Sequence, residues 1–261
     1  MQWENLTSND FKVAVSETQV CVVAMGVVER HSDHLPLGTD FLNGHRVACL
    51  AAEKEPAVVF PPFYFGQIYE ARCFPGTITL KPNLLLEVLW NVFDEIARNG
   101  FKKIVLFNAH GGNNYLLRFL GQCSLWEEKP YYLYIPTDLV DRAQWNAVLE
   151  SPYHGHACEC ETSVTLANYP ELVHMERVPA VAGDPKGRMS GLPGTYNGIW
   201  WYADHPEHYA GDARTASAEK GKKLVGLEVD GLAGYLAAVK TDQIIPTLTE
   251  EFFTRENGLA R

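Results

Sequence analysis

Apolar residues fall along this chain in two rhythms. Four short runs, Val20-Cys21-Val22-Val23-Ala24-Met25, Ala57-Val58-Val59-Phe60, Lys103-Ile104-Val105-Leu106-Phe107 and Tyr131-Tyr132-Leu133-Tyr134-Ile135, read as strands buried on both faces. Between them, residues 41–54 and 82–99 carry apolar positions at helical spacing. The second of these places Leu85, Leu86, Val88, Leu89, Val92, Phe93 and Ile96 on one side and stops at Asn99-Gly100, a C-terminal helix signal. Strand alternating with helix predicts parallel strands with helices on both faces. Residues 183–213 break the rhythm with Gly191-Leu192-Pro193-Gly194, Trp200-Trp201-Tyr202 and His205-Pro206-Glu207-His208. A loop that long in a compact domain is usually a lid or a subunit contact. Helical periodicity returns over 214–240, so the expectation is one α/β domain spanning residues 1–261 with an elaborated loop.

Composition narrows the function classes. A chain of 261 residues, 46% hydrophobic and 21% charged, can bury a core without disulfides or a structural metal. Its net charge of -10 argues against nucleic acid, whose phosphates demand clustered Lys and Arg. The six cysteines (21, 49, 73, 123, 158 and 160) are mostly isolated, and the start has no charged segment followed by an apolar one. Both features predict reduced thiols and a cytoplasmic protein. No apolar run approaches the roughly 18 residues of a membrane span.

Three polar clusters carry the candidate chemistry. Glu29-Arg30-His31-Ser32-Asp33-His34-Leu35-Pro36-Leu37-Gly38-Thr39-Asp40 follows the first strand, and Asn108-Ala109-His110-Gly111-Gly112-Asn113-Asn114 follows Phe107. His154-Gly155-His156-Ala157-Cys158-Glu159-Cys160-Glu161-Thr162 precedes an apolar helical pattern. Ligands in open α/β sheets bind beyond the carboxyl ends of the strands, where these clusters fall. Imidazoles and carboxylates together suit zinc and, with more oxygen, manganese. One histidine beside a strand is ordinarily a hydrogen-bonded structural residue; three clusters at successive strand ends are harder to read that way.

The pattern Glu-x-His-x-x-His-Leu-Pro-Leu-x-Thr-Asp at Glu29–Asp40, followed by Asn-x-His-Gly-Gly-Asn at Asn108–Asn113, resembles the creatininase (creatinine amidohydrolase) family. His156-Ala157 through Glu161-Thr162-Ser163 resembles that family's third signature, with weaker matches at Phe74–Thr77, Tyr169–Val173, Gly211-Asp212 and Gly221. The resemblance implies a three-layer α/β/α sandwich with a mostly parallel central sheet. It further implies two divalent cations per chain, zinc foremost, with manganese or iron as alternatives. Carried over by position, Glu29 and His110 hold one metal, His31 and Glu161 the other, and Asp40 bridges. His156 matches the catalytic histidine that protonates a leaving nitrogen. The implied reaction is hydrolysis of a C–N bond in a small molecule, a cyclic amide or formamide, by a metal-bound hydroxide. Homo-oligomers, often hexamers, are common in the family.

Departures from the pattern concern the substrate. Creatinine-cleaving members often carry a glutamate where this chain has Gly112, and many relatives a histidine where it has Ala71. Ser32, Asp33 and Arg30 stand where Gly, Pro and Gln are common. Around the centre, His34, Asn108, Asn113 and Glu159 are candidates for bracing ligands or orienting His156. Trp200 and Trp201 are candidates for stacking on a flat substrate. His45, His174, His205 and His208 are expected to do nothing chemical, the last two as surface loop residues. A sulfur-rich zinc site at Cys158 and Cys160 is the alternative to packing, but C-x-C is a short spacing with no second Cys pair to close it. If a helix starts here, positions 158 and 160 cannot all face one metal, so both are expected to pack. Two other functions remain: a protein in which a single zinc only braces loops, and a creatininase-like peptidase acting on a modified peptide. A phosphate site is disfavoured, because His110–Asn113 lacks the Lys and Ser/Thr of a P-loop.

Overall fold

The computed structural model describes residues 1–259. The chain opens with α1 (Ser8–Thr18), β1 (Val20–Met25), α2 (Thr39–Lys54), β2 (Val58–Val59), α3 (Pro82–Arg98) and β3 (Lys103–Asn108). It continues through α4 (Asn113–Cys123), β4 (Tyr132–Tyr134), α5 (Arg142–Asn146), β5 (His154–His156) and α6 (Glu159–Asn168). It ends with α7 (Trp200–Asp204), β6 (Ala210–Gly211), α8 (Ala218–Thr241) and α9 (Ile244–Leu259). Strands β2-β1-β3-β4 form one parallel sheet in that order, and β5 pairs antiparallel with β6.

The apolar run at the first strand explains the layering. All six β1 residues are buried, and successive side chains point to opposite faces. Val20, Val22 and Ala24 pack with Val47, Ala48 and Ala51 of α2 and Leu224, Leu232 and Leu236 of α8. Cys21, Val23 and Met25 pack with Leu85, Leu89, Phe93 and Ile96 of α3 and Leu117 of α4. The result is the expected α/β/α sandwich, built on the helical face read from residues 82–99. Among the described residues no helix is long and apolar enough to cross a membrane.

Two contacts between α6 and α8 position the helix that matters for the site. α6 packs along α8, where a Cβ on Gly221 would stand 1.8 Å from the Ser163 carbonyl oxygen; only glycine admits that approach. Ser217 caps α8 by accepting from the Lys220 amide, while its own amide donates to Ser163 Oγ, tying the α8 start to α6. The sequence-derived bounds shift modestly. The second strand shrinks to Val58–Val59, the first long helix begins at Thr39 rather than residue 41, and α8 begins at 218 rather than 214. The segment 183–213 contains α7 and β6.

Candidate functional site

The three polar clusters converge beyond the carboxyl ends of β1 and β3. Glu29 lies four residues past β1, its amide donating to the Leu37 carbonyl at 3.0 Å. Asp40 sits in the first turn of α2 and Glu161 in the first turn of α6, where the helix dipole favours a carboxylate. His110 follows Asn108, the last residue of β3, and precedes α4. His156 ends β5. Glu29, His31, Asp40 and His156 are buried.

Distances inside this cluster are short. Asp40 directs Oδ1 to His31 Nε2 at 3.0 Å and Oδ2 to His110 Nδ1 at 2.9 Å. The same His110 Nδ1 stands 2.9 Å from Glu29 Oε1. One ring nitrogen cannot donate one proton to two carboxylates, and Glu29 Oε1 and Asp40 Oδ2 both lack a hydrogen-bond partner of good geometry although buried. The ligand atoms of Glu29, His31 and Asp40 lie within 4.8 Å of one another, as do those of His31, His156 and Glu161.

The far nitrogens fix the rings. His110 Nε2 is 3.1 Å from the Gln67 carbonyl and His31 Nδ1 is 3.3 Å from the Glu29 carbonyl. A carbonyl can only accept, so each ring carries its proton there when neutral and turns a lone pair toward the carboxylates. That is how protein imidazoles are oriented toward cations. Orphaned carboxylate oxygens, oriented imidazoles and an N/O donor set fit divalent metal ions.

Electrostatics agree. Burial opposes charge on His31, yet Asp40 at its Nε2, with Glu29 and Glu161 nearby, outweighs it and pushes the ring up to about 10. His110 is likewise held well above the imidazole range, against its burial, by Glu29 and Asp40. Burial, reinforced by Cys158, Asp40 and Glu29 and opposed by His31, pushes Glu161 up to about 8. The cluster thus gathers protons where cations would otherwise neutralise it. Burial drives His156 well below its usual range, with His31 and His208 adding and Glu29 opposing, so the ring is neutral near pH 7.

His205 and His208 correct the sequence reading, which placed both on the surface: both are buried. The Trp201 indole N–H donates to His208 Nδ1 at 3.0 Å, so the proton on Nε2 is donated to Glu29 Oε2 at 2.6 Å. This Trp201–His208–Glu29 chain holds one Glu29 oxygen and leaves the other facing His110. No sequence signal marked His208, because its segment carries no strand or helix periodicity. Its φ of 52° is left-handed, as are those of Ser32 at 55° and Ala157 at 52°. Among the described residues, three of the four non-glycine positions with positive φ therefore belong to or flank this site, Ser32 among them.

The remaining candidates separate. Asn113 Oδ1 accepts from the Gln67 amide and its Nδ2 donates to the Met25 carbonyl, bracing the loop beside His110. Asn108 Oδ1 accepts from the His110 amide. His34 Nε2 shares a hydrogen bond of 2.9 Å with Thr162 Oγ1 and stays outside the carboxylate cluster. Glu159 turns away: it accepts from the Glu150 and Ser151 amides and pairs with Lys220. Trp200 and Trp201 line a cavity of about 1010 Å³ together with Glu29, His110, His156 and Glu161. At Gly112 a Cβ would meet His110 Nε2 at 2.5 Å and the Gln67 carbonyl at 2.8 Å, so a side chain here would require this loop to shift.

The family model for Creatininase: Creatinine amidohydrolase matches residues 4–236. The chain is 26% identical over 270 residues to a 3-dehydro-scyllo-inosose hydrolase of Thermotoga maritima, covering 92% of this chain and 82% of that one. It is 26% identical to a creatinine amidohydrolase of Pseudomonas putida, over 87% of this chain and 93% of that one. It is 28% identical to a mycofactocin precursor peptide peptidase of Mycolicibacterium smegmatis, over 87% and 88%. Among solved structures, a creatininase of Zn–Zn type superposes with TM-score 0.79 at 24% identity, covering 92% of this chain and 98% of that one. A manganese form superposes with TM-score 0.74 at 24% identity, covering 92% and 99%. Fold, motif order and the family match over nearly the whole chain agree: the protein belongs to the creatininase family of hydrolases.

Proposed function

We propose that the protein is a dinuclear metal-dependent amidohydrolase that cleaves a C–N bond, a cyclic amide or formamide, in a small molecule. The observation that carries this reading is Asp40, whose two oxygens each meet a different histidine, His31 at 3.0 Å and His110 at 2.9 Å. Glu29 and His110 would hold one divalent cation and His31 and Glu161 the other, with Asp40 shared between them. Zinc is the first choice and manganese or iron the alternatives, in keeping with the zinc and manganese forms of the superposable creatininases. When bound, such a pair supplies Lewis-acid polarisation of a carbonyl and lowers the pKa of water.

The chain's own residues would do the rest. His156, neutral and buried beside Glu29, takes the proton that the attacking water gives up and passes it to the leaving nitrogen. Trp201 and His208 keep Glu29 in place. Trp200 and Trp201 line the cavity, which supports reading residues 183–213 as a lid on a single catalytic domain. We take the protein to be cytoplasmic and homo-oligomeric, with a small-molecule substrate and no nucleic-acid partner.

A peptide substrate is the second reading. It is favoured by the relationship to a precursor-peptide peptidase and by a cavity far larger than one heterocycle requires. The test is hydrolysis of a panel of small cyclic amides, formamides and short peptides by zinc- or manganese-loaded protein. Turnover of a small amide, lost in His156→Asn with cation content unchanged, supports the proposal. Turnover confined to peptides moves the second reading to the front, and turnover in His156→Asn equal to wild type sinks the assigned role.

A further inference from the structure

The sequence reading set Cys158 and Cys160 apart as packing residues, on the argument that neighbouring positions of a helix point in different directions. The structure overturns the premise. Cys158 is not helical: it caps α6 with φ -91° and ψ -169°, and only Cys160 lies on the helix. Their sulfurs stand 3.2 Å apart. The left-handed turn at Ala157 brings β5 back onto the same helix end, so His154, Cys158 and Cys160 each offer a ligand atom within 4.8 Å of the others. His154 Nδ1 is buried and has no hydrogen-bond partner.

We propose that His154, Cys158 and Cys160 form a further cation site, for a thiophilic ion of the zinc–cadmium class, separate from the carboxylate-rich centre. Two sulfurs on a tetrahedral zinc, each about 2.3 Å from the metal, stand about 3.8 Å apart. The observed 3.2 Å falls short of this by about 0.6 Å. Two thiolates and one neutral imidazole balance a divalent charge, and the set leaves a fourth position for water, as in other Cys₂His sites. Of the two carboxylates on this first turn, Glu159 is taken by the Glu150 and Ser151 amides and Lys220, and Glu161 accepts from the Ala157 amide, so the donors here are sulfur and nitrogen. His154 and Cys160 are only half-buried, which gives an ion a way in. Binding displaces the two thiol protons to solvent and forms two metal–sulfur bonds and one metal–nitrogen bond. Because Glu161 follows Cys160 directly, an ion here would also clamp the first turn of α6 that carries it.

The probe is Cd2+ titrated into metal-free protein kept reduced with a phosphine. Thiolate-to-cadmium charge-transfer absorption reports sulfur ligation only, so binding to the oxygen- and nitrogen-lined centre is silent. Wild type and Asp40→Ala should both develop the band, with the final amplitude of one sulfur-ligated ion per chain, and a Cys158→Ser/Cys160→Ser double variant should not. No band in wild type, or an undiminished band in the double variant, overturns the site. Should the double variant fail to fold, alkylation of wild type decides. Cd2+ is expected to slow iodoacetamide modification of Cys160 at least tenfold and leave the exposed Cys73 unaffected; equal protection, or none, overturns it.

Discussion

Ser32 and His208 show what single residues contribute. Ser32 holds φ at 55°, a conformation that costs an L-residue roughly 1–2 kcal/mol, beside a histidine of the carboxylate cluster. Ser32→Gly is therefore expected to stabilise the fold by about 1 kcal/mol, less the extra freedom glycine gives the unfolded chain, without loss of cation uptake. Chemical denaturation checks this, and a destabilised Ser32→Gly would mean that the hydroxyl matters more than the strain. His208 acts through Glu29. His208→Phe keeps an aromatic ring but leaves Glu29 Oε2 buried without its donor, an expected loss of about 1–3 kcal/mol and weaker cation retention on dialysis. Stability and retention equal to wild type would remove His208 from the account. The convergence of Glu29, His31, Asp40 and His110 was legible in the sequence because acids and histidines recur at successive strand ends. His208 was not, since a loop residue's burial is decided by tertiary packing. Glu159 was misjudged for a similar reason: one residue's step along α6 sends its carboxylate to Lys220 rather than toward His156.

At the scale of elements, α6 links the site to the core. Gly221 lets α8 approach the Ser163 carbonyl, and Glu161 stands two residues before Ser163. Gly221→Ala must push the helices apart, with an expected cost of about 1–3 kcal/mol and a displaced Glu161. Calorimetric cation titration should then show weakened binding, whereas unchanged affinity would separate the packing from the site. The long elements were readable from periodicity: β1 has an unbroken apolar run and α3 a clear face. β5, β6 and α7 were not, because two- to five-residue elements carry too few positions to display a period. The same shortness hid the extended backbone of Cys158, and with it the convergence of the two thiols.

The whole molecule carries a buried charge problem that cations would solve. His31, pushed up to about 10, and Glu161, pushed up to about 8, both bind protons more tightly in the fold than in the unfolded chain. Each therefore stabilises the metal-free fold most at low pH. The Glu161 contribution fades from its unfolded value up to about 8, and that of His31 from its unfolded value up to about 10. Metal-free protein should thus lose stability from pH 7 to 9, while cation affinity rises as the competing protons leave. The gap in Tm between zinc-loaded and metal-free protein should widen over that interval, and a gap that narrows would contradict the charge assignments. Exposed Trp126, Tyr115, Phe119 and Tyr196 are large apolar groups for a free surface. A homo-oligomer is expected, measurable by light scattering as a multiple of 29.2 kDa; a monomer would refute it.

The shared Asp40 is the claim on which the rest depends, and cation content per chain tests it most directly. The protein is purified without chelator and the oxygen- and nitrogen-bound ions are counted in a Cys158→Ser/Cys160→Ser background, for Asp40 and for Asp40→Ala. About two ions per chain are expected with Asp40, and the loss or weakening of both together without it. A single tight ion that survives Asp40→Ala would contradict the bridged pair and leave a lone zinc bracing the loops.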